Sequence, residues 1–130
     1  MGYGISTTLD STVSEALDDV RRALSDQGFG VLTEIDMAAT LRAKLGVEIP
    51  AQVILGACNP PSAYRALGVE ESIGLLLPCN VVVRAGSDGR TIVETVDPQM
   101  MVEVTKNDEL RPVADDVANR LRSALAALSQ

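Results

Sequence analysis

Two apolar runs in the middle of the chain, residues 52–57 and 75–84, constrain the fold more than any other feature, because each carries a Cys-Asn pair. The first runs into Cys58, Asn59, Pro60 and Pro61, and the second passes through Pro78, Cys79 and Asn80 into three consecutive valines. Short apolar runs bounded by turn residues mark strands buried against a core. Asn59 is a favoured helix N-cap and Pro60 a favoured first helical residue. A short helix should therefore leave the first strand, run to about Leu67 and close at Gly68. Pro78 has no N–H to give to a sheet ladder, so the second strand is expected to be bulged or to lie on an edge there.

Local signals place the rest of the chain around this unit. Residues 3–8 read as a short strand. Thr12 and Glu15 form a capping box ahead of a helix whose apolar face is Val13, Ala16, Leu17, Val20 and Leu24. Asp18 and Arg22 can pair on its wet side, and Gly28 is the left-handed stop. A strand follows over 30–35. Asp36 then caps a second helix with Met37, Leu41 and Leu45 on its apolar side, ended by Gly46 and followed by the breaker Pro50. The Gly-Ser-Asp-Gly turn at 86–89 makes residues 81–96 an antiparallel hairpin, with Glu94 alternating outward to water. Asp97-Pro98 repeats the cap-and-proline device before a brief helix through Met100, Met101 and Val104. A last helix starts near Pro112 with the stripe Val113, Val117, Leu121, Leu125 and Leu128. Helices and strands interleave, but the hairpin is antiparallel, so the expected class is α+β, a single domain over residues 1–130.

Histidine is absent, which removes the imidazole general base, the Ser-His and Cys-His dyads and the histidine metal ligand. Conventional hydrolases and most metalloenzymes are thereby excluded. A net charge of −7 opposes nucleic acid and anionic membrane surfaces, both of which need a lysine- and arginine-rich face. Only 2% of residues are aromatic against 46% hydrophobic, so aliphatic side chains must fill the core. No stretch has the length of a spanning helix and no leader-like segment opens the chain. The first six residues fit a loose N-myristoylation pattern, but residues 3–8 read better as a strand. Two cysteines without an export signal suggest reduced thiols and a cytoplasmic location.

The segments Ile54-Leu55-Gly56-Ala57-Cys58-Asn59-Pro60 and Leu75-Leu76-Leu77-Pro78-Cys79-Asn80-Val81 resemble the domain-of-unknown-function 302 family. The resemblance extends through Ile35-Asp36, Lys44-Leu45-Gly46 and Asp97-Pro98. It implies a strand–helix–four-strand–helix layout with extra short helices, similar to the TATA-binding-protein-like folds, and frequent dimerisation. It brings no mechanism with it. The cysteines vary within the family, so Asn59, Pro60 and Pro78 are the shared part of the motif.

The candidate ligand-binding residues are Cys58, Asn59, Pro60, Cys79 and Asn80, with Cys58 and Cys79 the ligands of any metal. Cys58 precedes a helix N-terminus, which favours a thiolate, although most free cysteines are simply small buried hydrophobes. Asn59 has a plain role as a cap, and Asn80 one as a side chain bonded to backbone at the bulge. Lys44 and Arg65 are the cations nearest in sequence to the motif. Three functions follow. The first is a homodimeric module binding a small ligand or soft metal such as Cu(I) between the two Cys-Asn pairs. The second is a thiol enzyme or redox protein with Cys58 as nucleophile. The third is a purely structural or partner-binding domain. No cofactor is implied, and whether the protein is an enzyme stays open at this point.

Overall fold

In a computed structural model, described for residues 2–129, five strands form one antiparallel sheet in the order β1-β5-β4-β3-β2. The strands are β1 (Gly4–Leu9), β2 (Gly30–Asp36), β3 (Gln52–Cys58), β4 (Cys79–Ala85) and β5 (Thr91–Val96). The helices are α1 (Val13–Asp26), α2 (Met37–Leu45), α3 (Pro60–Val69), α4 (Gln99–Thr105) and α5 (Arg111–Leu128), with 3-10 turns at Glu71–Leu76 and Asp108–Leu110. This is the expected α+β class, with one strand and one helix ahead of four strands and a closing helix, and short helices between. The β4–β5 hairpin pairs Val81 with Thr95 through to Ala85 with Thr91.

Helix boundaries follow the local signals closely. Thr12 and Glu15 complete the capping box at the start of α1. At its end Phe29 donates to the Leu24 carbonyl and Gly28 to that of Ser25, a Schellman closure that puts Gly28 at φ +83°. Asp36 caps α2 through Ala39 N–H at 2.9 Å, and Gly46 ends it at φ +68°.

One face of the sheet carries the core. Pairing aligns Leu55 with Val81 and Val81 with Thr95, and likewise Val53, Val83 and Val93, so that these side chains share a face. α1 and α5 pack over it with Ala16, Val20, Leu24, Val117 and Leu121, which are all buried. The aliphatic composition suits this layer: β-branched residues fill the strands, and small alanines let the helices approach.

The opposite face has no helix over it among the described residues. A row of directly paired residues crosses it from Ser6 through Glu94, Val82 and Ile54 to Ile35. Its charges on the paired strand positions are Arg84 and Glu94, which bond to each other at 2.7 Å. Glu94 thus does not stand free in water: its side chain is only 21% exposed.

Several expectations are corrected. Residues 71–76 form a 3-10 turn around the buried Ile73, so Leu75 is exposed rather than buried in a strand. β4 begins at Cys79 and keeps its register through a central position, and Pro78 stands just before it, joined to Leu77 by a cis peptide. The proline therefore marks neither a bulge nor an edge. With no N–H of its own, it sits where the ladder has not yet begun. The irregular register lies in β2 instead, between Val31 and Thr33. α3 passes through Gly68 and ends at Val69, and Arg22 pairs with Asp19 rather than Asp18.

Candidate thiol cavity

β3 ends at Cys58, and the chain turns at once into α3. Asn59 Oδ1 accepts from Ser62 N–H at 3.1 Å, the expected N-cap, and Pro60 occupies the first turn. The same side chain reaches further. Asn59 Nδ2 donates to the Gly28 carbonyl at 3.1 Å, tying the start of α3 to the loop after α1. A Cβ on Gly28 would sit 2.9 Å from that nitrogen, so glycine is needed there for space as well as for its positive φ. Ser62 Oγ donates to Asp116 Oδ2 at 3.4 Å, and Arg120 binds both Asp116 Oδ2 at 3.1 Å and the Gln27 carbonyl at 3.0 Å. This network joins α1, α3 and α5 and uses the polar atoms of the two buried residues Asn59 and Ser62.

Beneath it, at the end of β3 and the start of β4, lies a cavity of about 30 Å³. Cys58 and Cys79 both line it, with Phe29, Pro78, Met101 and Val117 among the walls. Ala57 pairs directly with Cys79, and Cys58 is the next residue of β3, the last of the strand, whose side chain by strand alternation leaves on the other face of the sheet. The volume accommodates a water molecule or a single ion and falls far below the several hundred Å³ of a metabolite pocket. Cys58 is half-buried and Cys79 buried, and neither forms a disulfide. Burial, with a smaller effect from charge on Cys58, pushes the Cys79 thiol up to about 11.

The five residues singled out in the sequence therefore separate. Cys58, Asn59 and Cys79 line the cavity, whereas Pro60 is exposed outside it. Asn80 points the other way. It pairs with Gly56 on the open sheet face and lines a separate depression there with Tyr3, Val82 and Glu94. Adjacent residues of a strand face opposite sides, so Cys79 and Asn80 cannot serve one pocket. The backbone of Asn80 is bonded, its carbonyl accepting from Thr95 Oγ1 at 2.8 Å, but no bulge accompanies it. Lys44 and Arg65 are exposed, and among the described residues no lysine or arginine lines the cavity. Sequence reasoning missed Met101, Ser62, Asp116 and Arg120. Only Ser62, at the third position of a capped helix, carried any local signal.

The sequence profile of the family "Domain of unknown function DUF302" matches residues 5–128. Among solved structures the chain is similar to an uncharacterized conserved protein of the same family from Bacillus stearothermophilus, with 28% identity and a TM-score of 0.90. The likeness covers 97% of this chain and 98% of that one. No curated protein matches. With the family profile covering nearly the whole chain and a family fold superimposing along its length, the protein belongs to the domain-of-unknown-function DUF302 family.

Proposed function

We propose that this chain is a homodimeric binding module that takes a soft metal ion, or a ligand of similar size, at the cavity between Cys58 and Cys79. One observation carries the reading: both free cysteines are among the residues around a single cavity of about 30 Å³ whose buried polar neighbours, Asn59 and Ser62, already have partners. Thiols are then the chemistry left over for a guest, and thiolates select soft ions. A cytoplasm that keeps both cysteines reduced suits such a site. Protein purified under reducing conditions should carry about one soft metal ion per chain, and Cys58→Ser should lose it. Metal-free protein that takes up none on reconstitution with Cu(I) would rule the reading out.

The open sheet face is the surface we assign to a second copy. The chain bears a net charge of −7, yet the paired strand positions of this face hold only the neutral couple Arg84–Glu94. Two copies can meet there without bringing like charges together, and half-exposed Ile54, Val82 and Ile92 supply apolar contact. Light scattering at tens of micromolar should return twice the 13.7 kDa of one chain. Val82→Glu should return the single chain with its circular dichroism intact. A parent that scatters as a monomer, or a variant that remains a dimer, would remove the assignment. The acidic charge leaves no role for nucleic acid in this reading, and no helix among the described residues is long and apolar enough to cross a membrane.

Thiol chemistry at Cys58 is the second reading, favoured by its greater exposure than Cys79 and its place one residue before the N-cap of α3. It ranks lower because the cavity offers neither an imidazole base nor, among the described residues, a cation.

A further inference from the structure

We propose that the exposed apolar surface formed by α4 and the 3-10 turn Glu71–Leu76 docks a basic amphipathic helix of another protein. This goes beyond the reading above and needs neither the metal nor the second copy. Leu75 is 86% exposed and Val104 59%. Leu76, Met100 and Val104 line one depression of about 90 Å³, with room for one apolar side chain. Asn107, just after α4, donates through Nδ2 to the Val69 carbonyl at 2.9 Å and to Glu70 Oε1 at 3.1 Å. The end of α3 is thereby held against the end of α4, and the exposed Val69 joins the same surface. Apolar side chains exposed singly are ordinary, whereas a contiguous group marks an interaction site.

Charge selects the occupant. Residues 69–76 and 99–109 carry five carboxylates and one cation, Lys106. Glu70 is engaged by Asn107, and Asp108 by Arg111. Glu71, Glu103 and Glu109 are exposed, and none of them pairs with a lysine or arginine among the described residues. A second copy docked here would bring the same carboxylates face to face, and an anionic membrane would repel them likewise. Lysines or arginines beside an apolar side chain match both the carboxylates and the depression.

The sheet decides the form of the partner. β4, which follows the turn, and β5, which leads into α4, both lie inside the sheet, so an extended segment finds no free ladder to join. A helix instead presents apolar side chains at i, i+3 and i+4. One of them enters the depression beside Val104, its neighbour lies on Leu75, and basic side chains reach Glu71 on the turn and Glu103 on α4.

The test is fluorescence anisotropy of a labelled leucine–lysine peptide of about 18 residues, with its leucines at helical spacing, titrated with the full chain. One control peptide has the same residues in scrambled order, and another has every lysine replaced by glutamate. The leucine–lysine helix should bind, and both controls should bind about tenfold more weakly or worse. Leu75→Ser with Val104→Ser should weaken binding by about tenfold or more. Glu71→Lys with Glu103→Lys should do the same and flatten the salt dependence. All four positions are exposed, so circular dichroism should not change. Leu32→Ser, at an exposed leucine of β2, should bind as the parent does. Binding that survives both double variants would be attraction to net charge alone and would overturn the proposal, as would equal binding of the scrambled peptide or no binding at all. If Leu75→Ser with Val104→Ser instead converts a dimer to single chains in light scattering, the surface belongs to a second copy and the proposal falls.

Discussion

Gly56→Ala is expected to destabilise the fold by about 3 kcal/mol, more than an ordinary overpacking change outside the core. Gly56 lies in β3 opposite Thr33 of β2 and Asn80 of β4, on the open face of the sheet, yet it is buried. Two side chains cover it. A Cβ there would overlap Thr33 Oγ1 and sit 2.8 Å from Pro78 Cγ. The threonine hydroxyl can swing away at small cost, whereas the proline ring has no χ rotamer to turn through and is tied to the start of β4 at the next residue. Alanine normally gains about 0.5–1 kcal/mol over glycine inside a strand, so any measured loss understates the clash. Denaturant unfolding of Gly56→Ala and of Gly56→Ala with Thr33→Ala checks this. The double variant should recover about half the loss, the remainder belonging to Pro78. A single variant within 0.5 kcal/mol of the parent would show that the β3–Pro78 contact gives freely. Because Pro78 also walls the thiol cavity, the same variant should alter the reactivity of the thiols.

The second large effect is alkaline. The Cys79 thiol holds its proton to about 11 in the folded chain against an ordinary value of 9.0, first because it is buried and second because charge on Cys58 opposes its own. For a group whose folded value is raised, the stabilisation is fully present below the unfolded value and is lost as pH rises through the folded one. The metal-free protein should therefore lose up to about 3 kcal/mol of stability between pH 9 and pH 11, at roughly 1.4 kcal/mol per pH unit. Cys79→Ala removes the group, so the difference between the two pH–stability curves isolates it. Parallel curves would show that Cys79 is not sealed from water. The same burial predicts that iodoacetamide alkylates Cys58 in the native protein while Cys79 stays intact at neutral pH. Faster reaction at Cys79, or none at Cys58, would remove the physical support for chemistry at Cys58.

The first prediction concerns a position whose importance the sequence hid. Gly56 reads as an unremarkable residue inside an apolar run, and its constraint comes from Thr33 and Pro78, distant along the chain. The site is divided in the same way. Asn59 was legible as a cap, since its bond to Ser62 N–H spans three residues. Its second bond, to the Gly28 carbonyl, and the attachment of Ser62 to Asp116 depend on where α1 and α5 dock. Asn80 was grouped with Cys79 because they adjoin in sequence, although the strand alternation already readable there sends them to opposite faces.

What the sequence determined by itself was the order and type of the elements: the capped start of α1, its left-handed stop at Gly28, the cap of α2 at Asp36, the hairpin of β4 and β5, and the stripe of α5. Each depends on residues within about four positions of one another, or on a repeating period, and such interactions are complete before any distant part of the chain arrives. Only the tertiary structure decided which strands pair beyond that hairpin, that β4 is central and starts after Pro78, that one sheet face stays open, and that Met101 lines one cavity with the two cysteines. Those outcomes turn on register between strands and on helices docking over a shared core, where a partner is chosen by burial and space rather than by neighbours in the chain.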